Sequence, residues 1–294
     1  MNLIQIIILA VVQGLAELLP VSSSAHVVVA EKLMGLDPSS PPMTLLLVML
    51  HTGTMFAVIL YFWKQWRDTY FASVETFKRA AVLLILATFL TGIVGETIIK
   101  ILEKTAFRGA PHAEIENLFG RLDLIAPALA AAGILILVAG LATKNFAAAN
   151  ASGEAAGSTA DISTGQASLV GAVQGLCLPF RGFSRSGATI SAGMLAGVAK
   201  VSAEAFSFAL AVILTPPVIA REALRLVHAV HANRSADVTS AVLPSLLGAL
   251  FSFLAGLLAL KWLSQWLERG RWYLFGIYCL VAAAVVFTLY RAGY

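Results

Sequence analysis

The sequence predicts an all-α polytopic membrane protein, with six transmembrane helices plus two re-entrant helical hairpins arranged as an inverted repeat of two halves. Three observations lead there: an apolar composition, six long apolar runs, and a polar motif that occurs twice.

Of 294 residues, 59% are hydrophobic and 12% charged, and the mean hydropathy is +0.85. A water-soluble domain carries about 25% charged residues, so that class is excluded. Apolar runs at 43–63, 80–99, 122–143, 204–224, 239–263 and 272–290 are each long enough to cross roughly 30 Å of hydrocarbon as a helix. The first twenty residues are apolar too, but they lack a basic n-region and are interrupted by Gln13, Glu17 and Pro20. They read as mature structure, not a signal peptide.

The net charge of +4 comes from cations at segment ends, such as Lys64, Arg67, Lys78 and Arg79. Those can reach the headgroups, which is membrane anchoring and implies no nucleic-acid partner. The basic loop around 64–79 points to the cytoplasmic side, although loops on both predicted sides carry similar numbers of cations. Cys177 and Cys279 lie in separate apolar stretches without metal-ligand spacing and read as small buried hydrophobes.

Val12-Gln13-Gly14-Leu15 recurs as Val173-Gln174-Gly175-Leu176, at an offset of 161. Each copy passes a proline, Pro20 or Pro179, and reaches a serine cluster, Ser22-Ser23-Ser24 or Ser184-Arg185-Ser186, with one residue inserted between the copies. A stretch at 150–166 rich in Ala, Ser, Gly and Thr has no periodicity and reads as a loop between them. The chain is thus expected to be a single membrane domain over 1–294, with repeat halves 1–146 and 166–294 and a linker over 147–165. Three spans per half is an odd number, so the second half enters the membrane inverted. The motif-bearing segments, 2–36 and 166–200, are broken near their middles. A break at membrane depth must be buried in protein or line a wet cavity, so each segment is drawn as a re-entrant hairpin whose polar tip meets the other.

Gln13 and Glu17 are four apart, on one helical face among Val, Leu and Ala. Glu17 is an ionisable group at membrane depth; such groups usually mark a site or pathway, although a structural carboxyl is the bland reading. After Pro20, Ser22, Ser23 and Ser24 look like a helix start with His26 one turn in. The free N–H groups there favour a phosphate oxygen, and His26 could transfer a proton or act as nucleophile. In the second motif, Arg185 offers a planar fork of donors suited to phosphate, with Ser184, Ser186 and Thr189 beside it. A snorkelling interfacial arginine is the alternative. His51 and Glu204 lie near spanning segments and are candidates for a supporting role. His112, His228 and His231 read as solvated loop or helix-end residues, and Gly193 with Gly197 as a helix-packing pair.

These motifs resemble those of the bacterial undecaprenyl-diphosphate phosphatases associated with bacitracin resistance. Gln13-Gly-Leu-Ala-Glu17-Leu-Leu-Pro20-Val-Ser-Ser23-Ser-Ala-His26 is similar to the family's (Glu/Gln)xxxGlu segment followed by Pro-Val-Ser-Ser and His. Gly182-Phe-Ser184-Arg185-Ser186-Gly-Ala-Thr189 is similar to its Gly-x-Ser-Arg-Ser-x-x-Thr segment. The resemblance covers essentially the whole chain. It implies hydrolysis of undecaprenyl diphosphate to undecaprenyl phosphate and inorganic phosphate, recycling the peptidoglycan lipid carrier. It further implies the bacterial plasma membrane, a site opening to the outer (periplasmic) side, a divalent cation (Mg²⁺, or Ca²⁺), a polyprenyl diphosphate substrate and possible homodimers.

Carried over by position, Glu17 would bind metal or activate the nucleophile, with Gln13 as an uncharged oxygen ligand. Ser23 and His26 are the nucleophile or acid/base candidates. Arg185 would clamp the phosphates, with Ser22, Ser184, Ser186 and Thr189 as substrate-binding hydroxyls. This chain departs from the family where many members have Glu in place of Gln13, and in its Ser24-Ala25 pair. Arg181 stands where a proline often precedes Gly182, and it reads equally as a second phosphate contact or a solvated turn residue. The rival function class is a lipid transporter or scramblase, also built from inverted repeats with broken helices. A carrier, however, has no need of a nucleophile.

Overall fold

The computed structural model describes residues 1–106, 118–150, 162–232, 238–267 and 271–294. His112 and most of the expected linker lie outside these, as does the side chain of His231. Among the described residues there are ten helices and no strand: α1 (Leu3–Glu17), α2 (Ser23–Leu33), α3 (Pro41–Tyr70), α4 (Val74–Ala106), α5 (Leu122–Asn150), α6 (Thr164–Cys177), α7 (Arg185–Leu195), α8 (Lys200–Ala232), α9 (Val238–Leu267) and α10 (Tyr273–Arg291). Six of them, α3, α4, α5, α8, α9 and α10, are long and apolar enough to cross a membrane. Their outer faces carry Ile85, 69% exposed, and Leu258, 66% exposed. Apolar surface on that scale suits lipid as solvent.

Two short helices followed by three long ones occur twice in chain order, and the local signals that shape each short pair recur in register. The capping box that starts α1 is Asn2 with Gln5, and the one that starts α6 is Ser163 with Gln166. In each, a side-chain oxygen accepts the N3 amide while the N3 side chain accepts the N-cap amide, satisfying two otherwise orphaned donors. The two return helices, α2 and α7, have 11 residues each. Both stop before a glycine with positive φ, Gly35 at 70° and Gly197 at 86°, a backbone that residues with a Cβ rarely adopt. Gly197 therefore ends a helix, while Gly193 does pack, since a Cβ there would lie 3.1 Å from the Ala203 Cβ.

The first short helix of each half packs on a long helix of the other half. At Gly14 on α1, a Cβ would lie 2.5 Å from the Ala255 Cβ of α9, and at Gly175 on α6 it would lie 2.7 Å from the Val94 Cβ of α4. Glycine at these places lets backbones approach closely, the source of helix association where lipid removes the hydrophobic drive. Side chains that find backbone partners across helices add to this. Thr91 donates to the Gly171 carbonyl at 2.9 Å, Trp66 to that of Ala205 at 3.1 Å and Ser252 to that of Leu50 at 2.8 Å. Each satisfies a polar group that hydrocarbon would leave unpaired. A buried cluster including Val21, Ala25, Val28, Ile125, Leu129, Ile136, Ile190 and Cys279 surrounds the place where the two short pairs meet.

Candidate active site

Each short pair turns at a polar tip. In the first, Ser22 adopts φ 68° and ψ 82°, a left-handed conformation unfavourable for an L-residue. Its carbonyl accepts from His26 Nδ1 at 2.8 Å, and its hydroxyl lies 3.4 Å from that of Ser24. In the second, Ser184 caps α7, its Oγ accepting from the Gly187 amide at 3.2 Å. Gly182 has φ 103°, and a Cβ there would stand 2.6 Å from the Ile125 carbonyl oxygen. A Cβ on Gly187 would stand 3.0 Å from the Pro20 carbonyl oxygen, so this glycine lets the tips touch.

Glu17 ends α1 and is 8% exposed, with donors on both carboxylate oxygens. Arg185 Nη2 donates to Oε1 at 2.6 Å. Oε2 accepts from Gln13 Nε2 at 2.9 Å and from the Ser23 hydroxyl, and His51 Nε2 stands 3.4 Å away. His51 Nδ1 is 2.8 Å from the Leu47 carbonyl. A carbonyl only accepts, so Nδ1 carries a proton and the ring edge facing Glu17 is Nε2. Four helices thus contribute to one carboxylate: α1 brings Gln13 and Glu17, α2 Ser23, α3 His51 and α7 Arg185. Arg185 has donors to spare, because its Nη1 is buried without a hydrogen-bond partner.

The other expected residues take different places. His26 bonds through Nε2 to the Tyr278 hydroxyl of α10 at 2.7 Å, with the rings stacked at 5.7 Å between centroids. In the neutral ring, Nδ1 donates to Ser22 and Nε2 accepts from Tyr278. Thr189 donates to the Arg185 carbonyl at 2.8 Å and shares a hydrogen with Ser207 at 2.6 Å. Ser186 and Glu204 line a separate cavity of about 320 Å³, where Lys200 lies 3.5 Å from Glu204. His228 is exposed. Cys177 and Cys279 are both buried.

A cavity of about 450 Å³ is lined by Glu17, Ser24, His51, Arg181, Arg185 and Arg221. Its walls include Leu47, Val48, Met55, Val58, Phe180, Phe208 and Val218. It therefore joins a concentrated set of cations and hydroxyls to an apolar chamber. Tyr278 and the contact of His51 with Glu17 were not singled out by the sequence. A tyrosine in an apolar span has no distinguishing local pattern, and His51 meets Glu17 only through the packing of α1 on α3.

Among the described residues no three His, Cys, Asp or Glu side chains converge as a metal-ligand group. The donor set at the tip is the Glu17 carboxylate, the Ser23 hydroxyl, and Gln13 Oε1, which is buried without a partner. One carboxylate with uncharged oxygens suits Mg²⁺, which keeps waters and binds substrate phosphates beside one or two carboxylates.

A family model described as bacitracin resistance protein BacA matches residues 6–285. The chain belongs to this BacA family. Among BacA-type relatives, undecaprenyl-diphosphatase 2 of Acinetobacter baylyi is 56% identical over 292 residues, 98% of each chain. Undecaprenyl-diphosphatase of Rhodopirellula baltica is 32% identical over 289 residues, again 98% of each. Undecaprenyl-diphosphatase 1 of Burkholderia pseudomallei is 34% identical over 294 residues, 96% of this chain and 95% of the relative. The BacA likeness thus includes both tips and all six long helices.

Proposed function

We propose that this chain is a membrane phosphatase that hydrolyses undecaprenyl diphosphate to undecaprenyl phosphate and inorganic phosphate, recycling the peptidoglycan lipid carrier. The observation that carries the reading is Glu17, held between the Ser23 hydroxyl and the Arg185 guanidinium at the polar end of a largely apolar cavity. A base, a nucleophile and a phosphate clamp lie within one hydrogen-bond network, beside walls suited to a prenyl tail.

In the reaction, Glu17 accepts the Ser23 proton and the Ser23 oxygen attacks the terminal phosphorus. The bridging P–O bond breaks and polyprenyl phosphate departs with its electron pair. Water then cleaves the serine–phosphate bond, releasing inorganic phosphate and restoring Ser23. Arg185 offsets the charge that develops on the equatorial oxygens, using Nη1 for phosphate while Nη2 holds the base. A divalent cation held by Glu17 and Gln13 Oε1 would supply further charge neutralisation. His26, engaged by Ser22 and Tyr278, orders the first tip. Ser184 shapes the second as a cap, and Ser22 and Ser24 offer hydroxyls at the first.

The inverted-repeat reading is supported by helix direction. Ile6 and Gly14 of α1 lie beside Gly248 and Ala255 of α9, while Gly171 and Gly175 of α6 lie beside Ala87 and Val94 of α4. Each short helix therefore runs parallel to its long neighbour. Three long helices separate the two pairs, so the two hairpins enter from opposite faces and meet at their tips. The turn at 71–73 is flanked by Lys64, Arg67, Lys78 and Arg79, which favours the cytoplasm. Arg225 bonds Thr44 at the far end of α3, at 3.0 Å, so the cavity residues Arg221 and Glu222 would face outward.

The test is release of inorganic phosphate from undecaprenyl diphosphate by detergent-purified protein, with and without chelator. Wild type releases phosphate and forms an acid-stable phosphoserine on brief mixing. Lipid movement between leaflets without phosphate release would favour the carrier class instead.

A further inference from the structure

Gly92, inside α4, is a glycine that packing does not explain. Glycine destabilises a helix relative to alanine, and at Gly14 and Gly175 that loss is offset by close approach to another helix. A Cβ on Gly92 would meet nothing within 4 Å. Yet Gly92 lines the same cavity as Glu17 and Arg185.

Among the described residues lining that cavity, the exposed ones are Gly92 and Glu96 on α4 with Pro217 and Arg221 on α8. On each helix the two are four apart and share a face, so they form the two rims of one slot. Towards the start of both helices the seam is shut, because Leu83 and Ala87 of α4 join Phe206 and Leu210 of α8 in one buried cluster. Beyond that cluster α8 carries Pro216 and Pro217 within the helix. Each lacks an amide donor and crowds the preceding turn with its ring, a combination that bends helices. Both helices are long and apolar enough to cross a membrane, so the slot opens sideways onto lipid.

The cavity is too small for a whole prenyl tail. A cavity of about 150 Å³ takes one benzene ring, so one of about 450 Å³ holds on the order of three rings' worth of carbon. That is a few isoprene units, and an undecaprenyl chain has eleven. Resting on the phosphatase reading above, we infer that the slot between α4 and α8 is the portal through which the tail of the lipid diphosphate runs from the cavity into the bilayer, and that Gly92 is a specificity-determining residue that keeps it wide enough for a long chain. The first isoprene units lie against Val48, Met55 and Val58, and the rest pass over the bare backbone at Gly92 and stay in lipid. A larger side chain there would take the space of the methyl-branched chain.

The experiment compares phosphate release from undecaprenyl diphosphate and from a prenyl diphosphate of three isoprene units, by wild type, Gly92→Phe, Leu214→Phe and Ile85→Phe. Leu214 lines the cavity from α8, whereas Ile85 lies on the outer face of α4, 69% exposed. Gly92→Phe is expected to lower kcat/KM for the long substrate by about tenfold or more, the scale of overpacking, and for the short one by less than about threefold. Leu214→Phe acts in the same sense, and Ile85→Phe leaves both substrates unchanged. Gly92→Phe should melt no lower than wild type, since nothing packs where its Cβ enters; if it does not fold, Leu214→Phe carries the comparison. Equal losses for both substrates, or undiminished turnover of the long one in the folded variants, overturn the inference. Wild-type release from the long substrate alone also overturns it, since the cavity should hold the short chain unaided. Release from neither would instead defeat the phosphatase reading itself.

Discussion

Glu17 and Arg185, 168 positions apart in sequence, meet at 2.6 Å between Oε1 and Nη2. Arg185 is partly buried and Glu17 is buried, so each is the main compensation for placing the other at membrane depth. The pair joins the two tips as well as setting up the chemistry.

Removing either member is therefore expected to abolish phosphate release. Glu17→Gln and Arg185→Ala should each lower kcat by about a hundredfold or more, the scale of a lost transition-state charge contact. Size-exclusion profiles of both variants separate lost chemistry from lost fold. Near-normal turnover in either folded variant would remove that residue from the mechanism.

Ser23 and Tyr278 distinguish the nucleophile from its neighbour. Ser23→Ala should lose at least about a hundredfold in kcat and all phosphoserine signal. Tyr278→Phe removes one neutral hydrogen bond from His26, worth about 1 kcal/mol, and turnover should fall by less than about tenfold. The opposite ranking would make His26 the attacking group.

Chelation should stop phosphate release, and Mg²⁺ should restore it. Gln13→Ala removes the orphaned Oε1 and should raise the Mg²⁺ concentration needed for half-maximal rate, with little change at saturating metal. Activity indifferent to chelator would show that Glu17 and Arg185 act without a cation.

Close glycine contacts should govern stability. Gly14→Val would drive side-chain atoms into Ala255 and the α9 backbone, costing about 1–3 kcal/mol by overpacking. Gly165 has nothing within 4 Å of a built Cβ, so Gly165→Ala should be neutral or stabilising by up to about 1 kcal/mol. Thermal unfolding in detergent followed by circular dichroism reads both, and equal effects would contradict the packing of α1 on α9.

Much of this molecule was legible before any coordinate. Hydropathy located six long helices because a spanning segment must be apolar throughout its length, and each of the six apolar runs falls on one span, 122–143 on Leu122–Thr143 and 272–290 on Tyr273–Arg291 among them. The helix ends were less legible: α5 continues to Asn150 and α8 to Ala232, because polar flanking turns can remain helical outside lipid. The duplicated motif located both tips, since Gln13, Glu17, Ser23 and Arg185 are costly to place in apolar sequence without a use.

Partnership was not legible. Local sequence determines that Glu17 sits at a helix end and that Ser184 caps α7, because capping and backbone breaks depend on a few neighbouring residues. Only tertiary packing decides that His51 reaches Glu17, that His26 turns instead to Tyr278, and that Arg181 lies on Phe119. Those contacts join residues from separate helices. Their distances follow from how closely glycines such as Gly14, Gly175 and Gly187 let backbones approach, a sum over the whole bundle that no single motif contains.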